Sequence, residues 1–107
     1  MKEFKGFKSY KPDETSKYWD ISRTHAIAFI KSEDGIDWYD AQNSFQSDTV
    51  KLMYDDEGLI VCASHCASGM FPVDRSVVEV SESVIPDGFA PDMSWRYLNG
   101  EVVKADS

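Results

Sequence analysis

Cys62, His65 and Cys66 fall within one short run, Cys62-Ala63-Ser64-His65-Cys66, and are the side chains best suited to chemistry at this spacing. Two thiolates and an imidazole three and four residues apart can approach a single metal ion. Structural zinc takes four protein ligands, however, and the only other histidine, His25, is distant in sequence. The reading that needs least is that Cys62 faces inward on a strand as a small hydrophobe, with His65 and Cys66 in the loop after it. A Cys–His nucleophile pair fares worse, because the base in such enzymes normally arrives from elsewhere in the fold and is held by a third group. His65 beside Cys66 would point away from it. The acids Asp55, Asp56 and Glu57 precede Gly58 as a turn tip and lack the spacing of a calcium loop. Neither a glycine-rich phosphate loop nor a serine-nucleophile motif is present. The expectation is therefore no catalytic, cofactor or metal residue, and a chain that is not an enzyme.

The elements around these residues read as mainly β. Thr49–Tyr54 alternates, with Val50, Leu52 and Tyr54 on one face and Thr49, Lys51 and Met53 on the other. Asp55-Asp56-Glu57-Gly58 reverses the chain into an apolar run at 59–64, where strict alternation puts Leu59, Val61 and Ala63 on one face. Ser76–Val80 is another strand. Asn99-Gly100 suits a two-residue type I′ turn, and that register sets Tyr97 opposite Val102 and Trp95 opposite Lys104. His25–Lys31 reads as a strand entering the turn Ser32-Glu33-Asp34-Gly35. Trp38, Ala41 and Phe45 share one helical face, so the spacing predicts a helix of about two turns near 37–45 capped by Asp37. Residues 84–92 read as loop. Residues 1–24 read as an extended or irregular arm held to the domain by Phe4, Phe7 and Tyr10, with 25–107 as a single β-rich domain. The expected class is α+β, mainly β: a small, mostly antiparallel sheet with hairpins and one short helix.

At 107 residues, 42% hydrophobic and 13% aromatic, the chain suits one globular domain with its own core. The net charge of −8 argues against nucleic acid as a partner, since phosphate binding needs clustered Lys and Arg. The charge is uneven. Residues 1–31 hold seven basic against four acidic side chains, +3, leaving −11 on the rest. No apolar run reaches the roughly 20 residues of a membrane helix, and the N-terminus has no apolar signal core. A cytoplasmic protein with reduced cysteines is expected.

Several pieces then occur in one order: Ser32-Glu33-Asp34-Gly35-Ile36-Asp37-Trp38-Tyr39-Asp40, Phe45, Gln46-Ser47-Asp48-Thr49, and the strand Val50–Asp55. They continue through Gly58-Leu59-Ile60-Val61, Pro72, Ser76-Val77-Val78-Glu79-Val80, and Trp95, Tyr97, Asn99, Gly100 and Val103. This series, spanning roughly residues 25–104, resembles the tail-fibre assembly proteins of tailed bacteriophages and prophages. Many members continue into a long charged helical segment, so the chain resembles a short form without it. The Cys62–Phe71 region departs from the polar, acidic loop usual there. The resemblance implies a chaperone-like protein in the host cytoplasm that binds the distal, receptor-binding part of a tail fibre and assists its folding or trimerisation. Some members stay on the virion. The alternative is a decoration or adaptor subunit of the fibre tip with no folding role.

For such a partner the candidate contacts are Tyr39, Trp95 and Tyr97, because Tyr and Trp are frequent interface anchors. Trp38 and Tyr39 are adjacent and cannot point the same way. Trp38 shares a face with Ala41 and Phe45 and is assigned to the core, which turns Tyr39 outward.

Overall fold

The computed structural model describes residues 2–24 and 28–105. Its centre is a four-stranded antiparallel sheet in the order β1 (Glu3–Phe4), β6 (Ser76–Val80), β4 (Val50–Tyr54), β5 (Ile60–Ser64). Two antiparallel two-stranded sheets complete the described strands: β2 (Lys8–Tyr10) with β3 (Phe29–Lys31), and the hairpin of β7 (Trp95–Leu98) with β8 (Glu101–Lys104). The mainly β expectation is met. The expected strand at 25–31 is observed as Phe29–Lys31, while His25–Ile27 lie outside the described residues.

β4 is buried along its whole length because both faces of the sheet are covered. Its alternation divides the core as the sequence implies. Met53 joins Phe7, Ile30, Trp38, Ala41 and Val77 on one side, under the N-terminal arm and the helix after Asp37. Val50, Leu52 and Tyr54 join Ile60, Val78, Val80, Trp95 and Val102 on the other, under the C-terminal hairpin. Burying apolar area on two faces gives a small chain two cores from one sheet.

The arm is part of this architecture. Glu3 and Phe4 pair with Val78 and Val77, and Phe7, fully buried, packs edge-on against Trp38 at 5.3 Å. Phe7 and residues 74–75 exchange backbone bonds of 2.8 and 2.9 Å that carry the pairing past β1. The arm also contains a helix that the sequence reading did not foresee, α1 (Trp19–Thr24). It buries no residue, so no apolar stripe announced it. Local groups start it instead: the Ser16 hydroxyl accepts from the Tyr18 N–H at 3.1 Å, and the Ser16 N–H donates to the Asp13 carbonyl at 2.9 Å.

Two other expectations are corrected. The second helix, α2, spans Trp38–Gln42 rather than 37–45. Asn43 turns its side-chain amide back to the Tyr39 carbonyl, and the Ser44 hydroxyl donates to the Ala41 carbonyl at 2.7 Å. Such side chains take over backbone acceptors and stop the helix. In β5 the single-face reading of Leu59, Val61 and Ala63 fails. Tyr54 pairs with Ile60 and Met53 with Cys62, which leaves Val61 as a bulge. Val61 and Cys62 therefore both reach the first core, while Ile60 and Ala63 reach the second. The C-terminal hairpin has the expected register, with positive φ at Asn99 (51°) and Gly100 (86°) as a type I′ turn requires.

Candidate functional site

α2 sets the first candidate surface. Asp37, in extended backbone, accepts from the Tyr39 N–H at 2.8 Å and caps the helix as expected. One turn then directs consecutive rings apart. Trp38 is fully buried, its indole N–H donating to the Met70 carbonyl at 3.0 Å. Tyr39 is half-buried, packs on Phe29 at 5.6 Å and Tyr18 at 6.0 Å, and donates its hydroxyl to the Ala28 carbonyl.

The arm brings two more tyrosines to the acids of this helix. Tyr10 donates its hydroxyl to Asp37, and Tyr18 donates to Asp40 at 2.8 Å. Burial, then the carboxylate acceptor, pushes both phenols well above their usual range. Lys17 contacts Asp40 at 2.6 Å and holds its carboxyl below the ordinary carboxylate value. Sequence reasoning missed this tyrosine–carboxylate cluster, because the partners are separated by 27 and 22 residues. The signal was present only as an aromatic arm facing an acidic helix.

Trp95 and Tyr97 share a hairpin face over the second core, so the four-stranded sheet stands between them and α2. Trp95 is 8% exposed, with Phe89 at 5.7 Å on one side and the Lys104 amine over its ring at 4.5 Å. Tyr97 is half-buried and lies 5.4 Å from the Tyr54 ring. The three candidate contacts are thus not one patch. Leu98, 47% exposed and next to Tyr97, was overlooked because strand alternation hides nothing unusual at that position.

Tyr54, Tyr97 and Leu98 line an open cleft of about 500 Å³ whose charged side chains are Glu3, Glu33, Asp55, Asp56 and Glu57 against Lys5. A second groove of about 560 Å³ runs from Ala63 and His65 to Ile85, Pro86 and Phe89, with Glu82 and Asp87 at its rim. The Cys–His run lies at the border of that groove. Cys62 is half-buried against the first core, whereas His65 and Cys66 are exposed. His65 contacts Glu82, and Cys66 sits 2.8 Å from the Ser68 hydroxyl, which lowers its thiol below the ordinary value. Among the described residues, no three His, Cys, Asp or Glu side chains are grouped to hold a metal ion, and no helix is long and apolar enough to cross a membrane.

No family model matches the chain. Individual relatives do. It is 33% identical over 104 residues to "Tail fiber assembly protein U" of Escherichia phage Mu, which covers 97% of this chain and 59% of that relative. The same identity and coverage hold for the "Probable tail fiber assembly protein" of Escherichia phage P2. Against "Tail fiber assembly protein U'" of Escherichia phage P1 the identity is 34% over 93 residues, 85% of this chain and 51% of the relative. The chain therefore spans between half and three-fifths of the curated relatives it matches.

Proposed function

From its homology, along nearly its whole length, to the tail fiber assembly proteins of phages Mu, P2 and P1, we propose that this chain binds a tail fibre protein and assists its folding or trimerisation. In this reading it acts without catalysis, in the host cytoplasm, on the distal part of the fibre. The observation that carries the reading is that sequence relationship over 104 residues. The fold is compatible with it: both faces of the central sheet are taken up by the chain's own cores, which leaves the sheet edges and the outer side of the covering elements to a partner. On the elements that cover those cores, Tyr39 and Tyr97 are half-buried and Leu98 is exposed, the partial exposure expected of aromatic and aliphatic anchors. Trp95, nearly covered beside Phe89 and Lys104, offers a partner little surface. An unassembled fibre chain exposes apolar surface and unpaired edges that aggregate, and a small acidic domain covering them needs no nucleotide.

The test is co-expression with the tail fibre protein of the same phage genome. A folding factor raises the yield of trimeric fibre. A subunit that only decorates the finished tip leaves that yield unchanged while still co-purifying. Absence of any complex overturns both readings.

A further inference from the structure

We propose that the outer edge of β5, over Cys62–Ser64, is where this chain takes up an extended, basic-flanked segment of its partner as an additional strand. The proposal rests on the fibre-binding reading above and names the surface and the chemistry of the segment.

The first observation is the edge itself. β5 ends the four-stranded sheet, and its inner side is paired with β4 on both sides of the Val61 bulge. Its outer side is met only at the start, where Leu59 bridges Arg96 and the Tyr97 N–H donates to the Gly58 carbonyl at 2.9 Å. Past that point no backbone bond to another strand is made on the outer side among the described residues. An open row of N–H and C=O groups is a template for one more strand.

The second observation is that this edge is unguarded. Proteins protect open edges with charged side chains or proline. Glu3 in β1, Lys8 in β2, Lys31 in β3, Arg96 in β7 and the pair Glu101 and Lys104 in β8 all follow that rule. Even the inner strands carry Lys51 and Glu79. β5, Ile-Val-Cys-Ala-Ser, is the single strand among the described residues with neither charge nor proline. Its bulge at Val61 is a guard of another kind, but it lies beside the half that β7 already approaches.

The third observation identifies the occupant. The groove beside Ala63 and Ser64 offers Ile85, Pro86 and Phe89 to an apolar side chain standing on an added strand. Glu82 and Asp87 flank it near Ser64, while the outer side at the start of β5 is already taken by β7. A second copy of this chain would bring the same acids against each other, with a net charge of −8 on each copy. A foreign segment with an apolar centre and a flanking Lys or Arg beside Glu82 and Asp87 meets complementary charge there instead.

Amide hydrogen exchange tests this on the intact chain, free and co-purified with the tail fibre protein of the same phage genome. New strand pairing slows exchange across residues 61–64 by about 100-fold or more in the complex. Asp87→Lys, at an exposed position, slows complex formation by about 10-fold at low salt and leaves the melting temperature of the free chain unchanged. If the complex forms with β5 exchange unaltered, the edge proposal is overturned and the fibre reading stands. If β5 becomes protected in the chain alone at high concentration, a second copy is the occupant and the proposal is equally overturned. If no complex forms, the proposal falls together with the reading on which it rests.

Discussion

Lys51 and Glu79 are direct neighbours across β4 and β6, both about 2% exposed or less, yet each is satisfied chiefly by other groups. The Lys51 amine donates to the carbonyls of Gln46, Thr49 and His65 at 2.5, 3.0 and 2.8 Å, using all three protons. The Glu79 carboxylate accepts from the Thr49 hydroxyl at 2.7 Å and from the N–H groups of Gln46 and Lys2. One buried cation and one buried anion thereby tie the arm, the segment after α2 and the end of β5 to the sheet.

Glu79 should make the fold lose stability in acid. Burial works against the charged form of Glu79, but its hydrogen bonds and the nearby Lys51 charge outweigh burial and hold the carboxyl below the ordinary value near 4.5. A depressed carboxyl stabilises the fold fully above that ordinary value, and the contribution is lost as pH falls through the lower folded value. Glu79→Gln should cost about 1–3 kcal/mol at neutral pH and flatten this part of the acid limb. Denaturant unfolding from about pH 7 to about pH 3 reads both. Equal acid sensitivity in the variant and the wild type refutes the assignment.

Asp37 has two duties, capping α2 and accepting the Tyr10 hydroxyl. Asp37→Ala should therefore lose about 2 kcal/mol, the upper part of the range for a cap. Asp37→Asn, which keeps a cap oxygen, should lose less. Thermal melts of the two variants and of Tyr10→Phe separate the duties, and indistinguishable Ala and Asn variants would contradict the capping role.

Trp38→Ala should destabilise the domain by about 3–5 kcal/mol, since a fully buried indole and its bond to Met70 are lost together. Tyr39→Ala, at a half-buried ring, should cost the fold about 1–2 kcal/mol and weaken fibre binding by about 1–3 kcal/mol. Stability and fibre affinity measured on the same preparations decide the matter. Fibre binding unchanged in Tyr39→Ala removes that residue from the contact surface.

Cys66 should be alkylated faster than Cys62 and at lower pH than an ordinary thiol. It is exposed and its Ser68 partner favours the thiolate, whereas Cys62 is half-buried against Met53 and its neighbours. Modification rates followed by mass spectrometry across pH check this, and comparable rates at the two positions would count against it. Cys66→Ser should leave the melting temperature unchanged.

Features with a short period were legible in the sequence. β4 announced itself by alternation, the last hairpin by Asn99-Gly100, and the α2 cap by Asp37 before Trp38. Features made by groups far apart in the chain were not. Nothing near Glu79 says that Lys2, Gln46 and Thr49 will satisfy it, and Tyr10 carries no local mark of its partner Asp37. α1 escaped because a helix that buries nothing leaves no stripe, and the β5 bulge because one extra residue resets the alternation without changing composition. The candidate contacts were chosen by residue type and local phase, which are blind to the sheet that separates Tyr39 from Trp95.

The pairing of β1 with β6 has a consequence for biosynthesis. Glu3 and Phe4 leave the ribosome early, but their partners Val78 and Val77 follow more than seventy residues later. β4 and β5 can form a hairpin in the meantime, and Phe4 and Phe7 can meet Phe45 and Trp38, but the backbone of Glu3 and Phe4 stays unpaired until β6 arrives. Loops of that length close slowly relative to local hairpins, so β1 pairs with β6 late in folding. A bulky fusion ahead of Lys2 would then slow maturation more than it lowers the final stability, whereas the same fusion behind Lys104 would leave the docking step untouched.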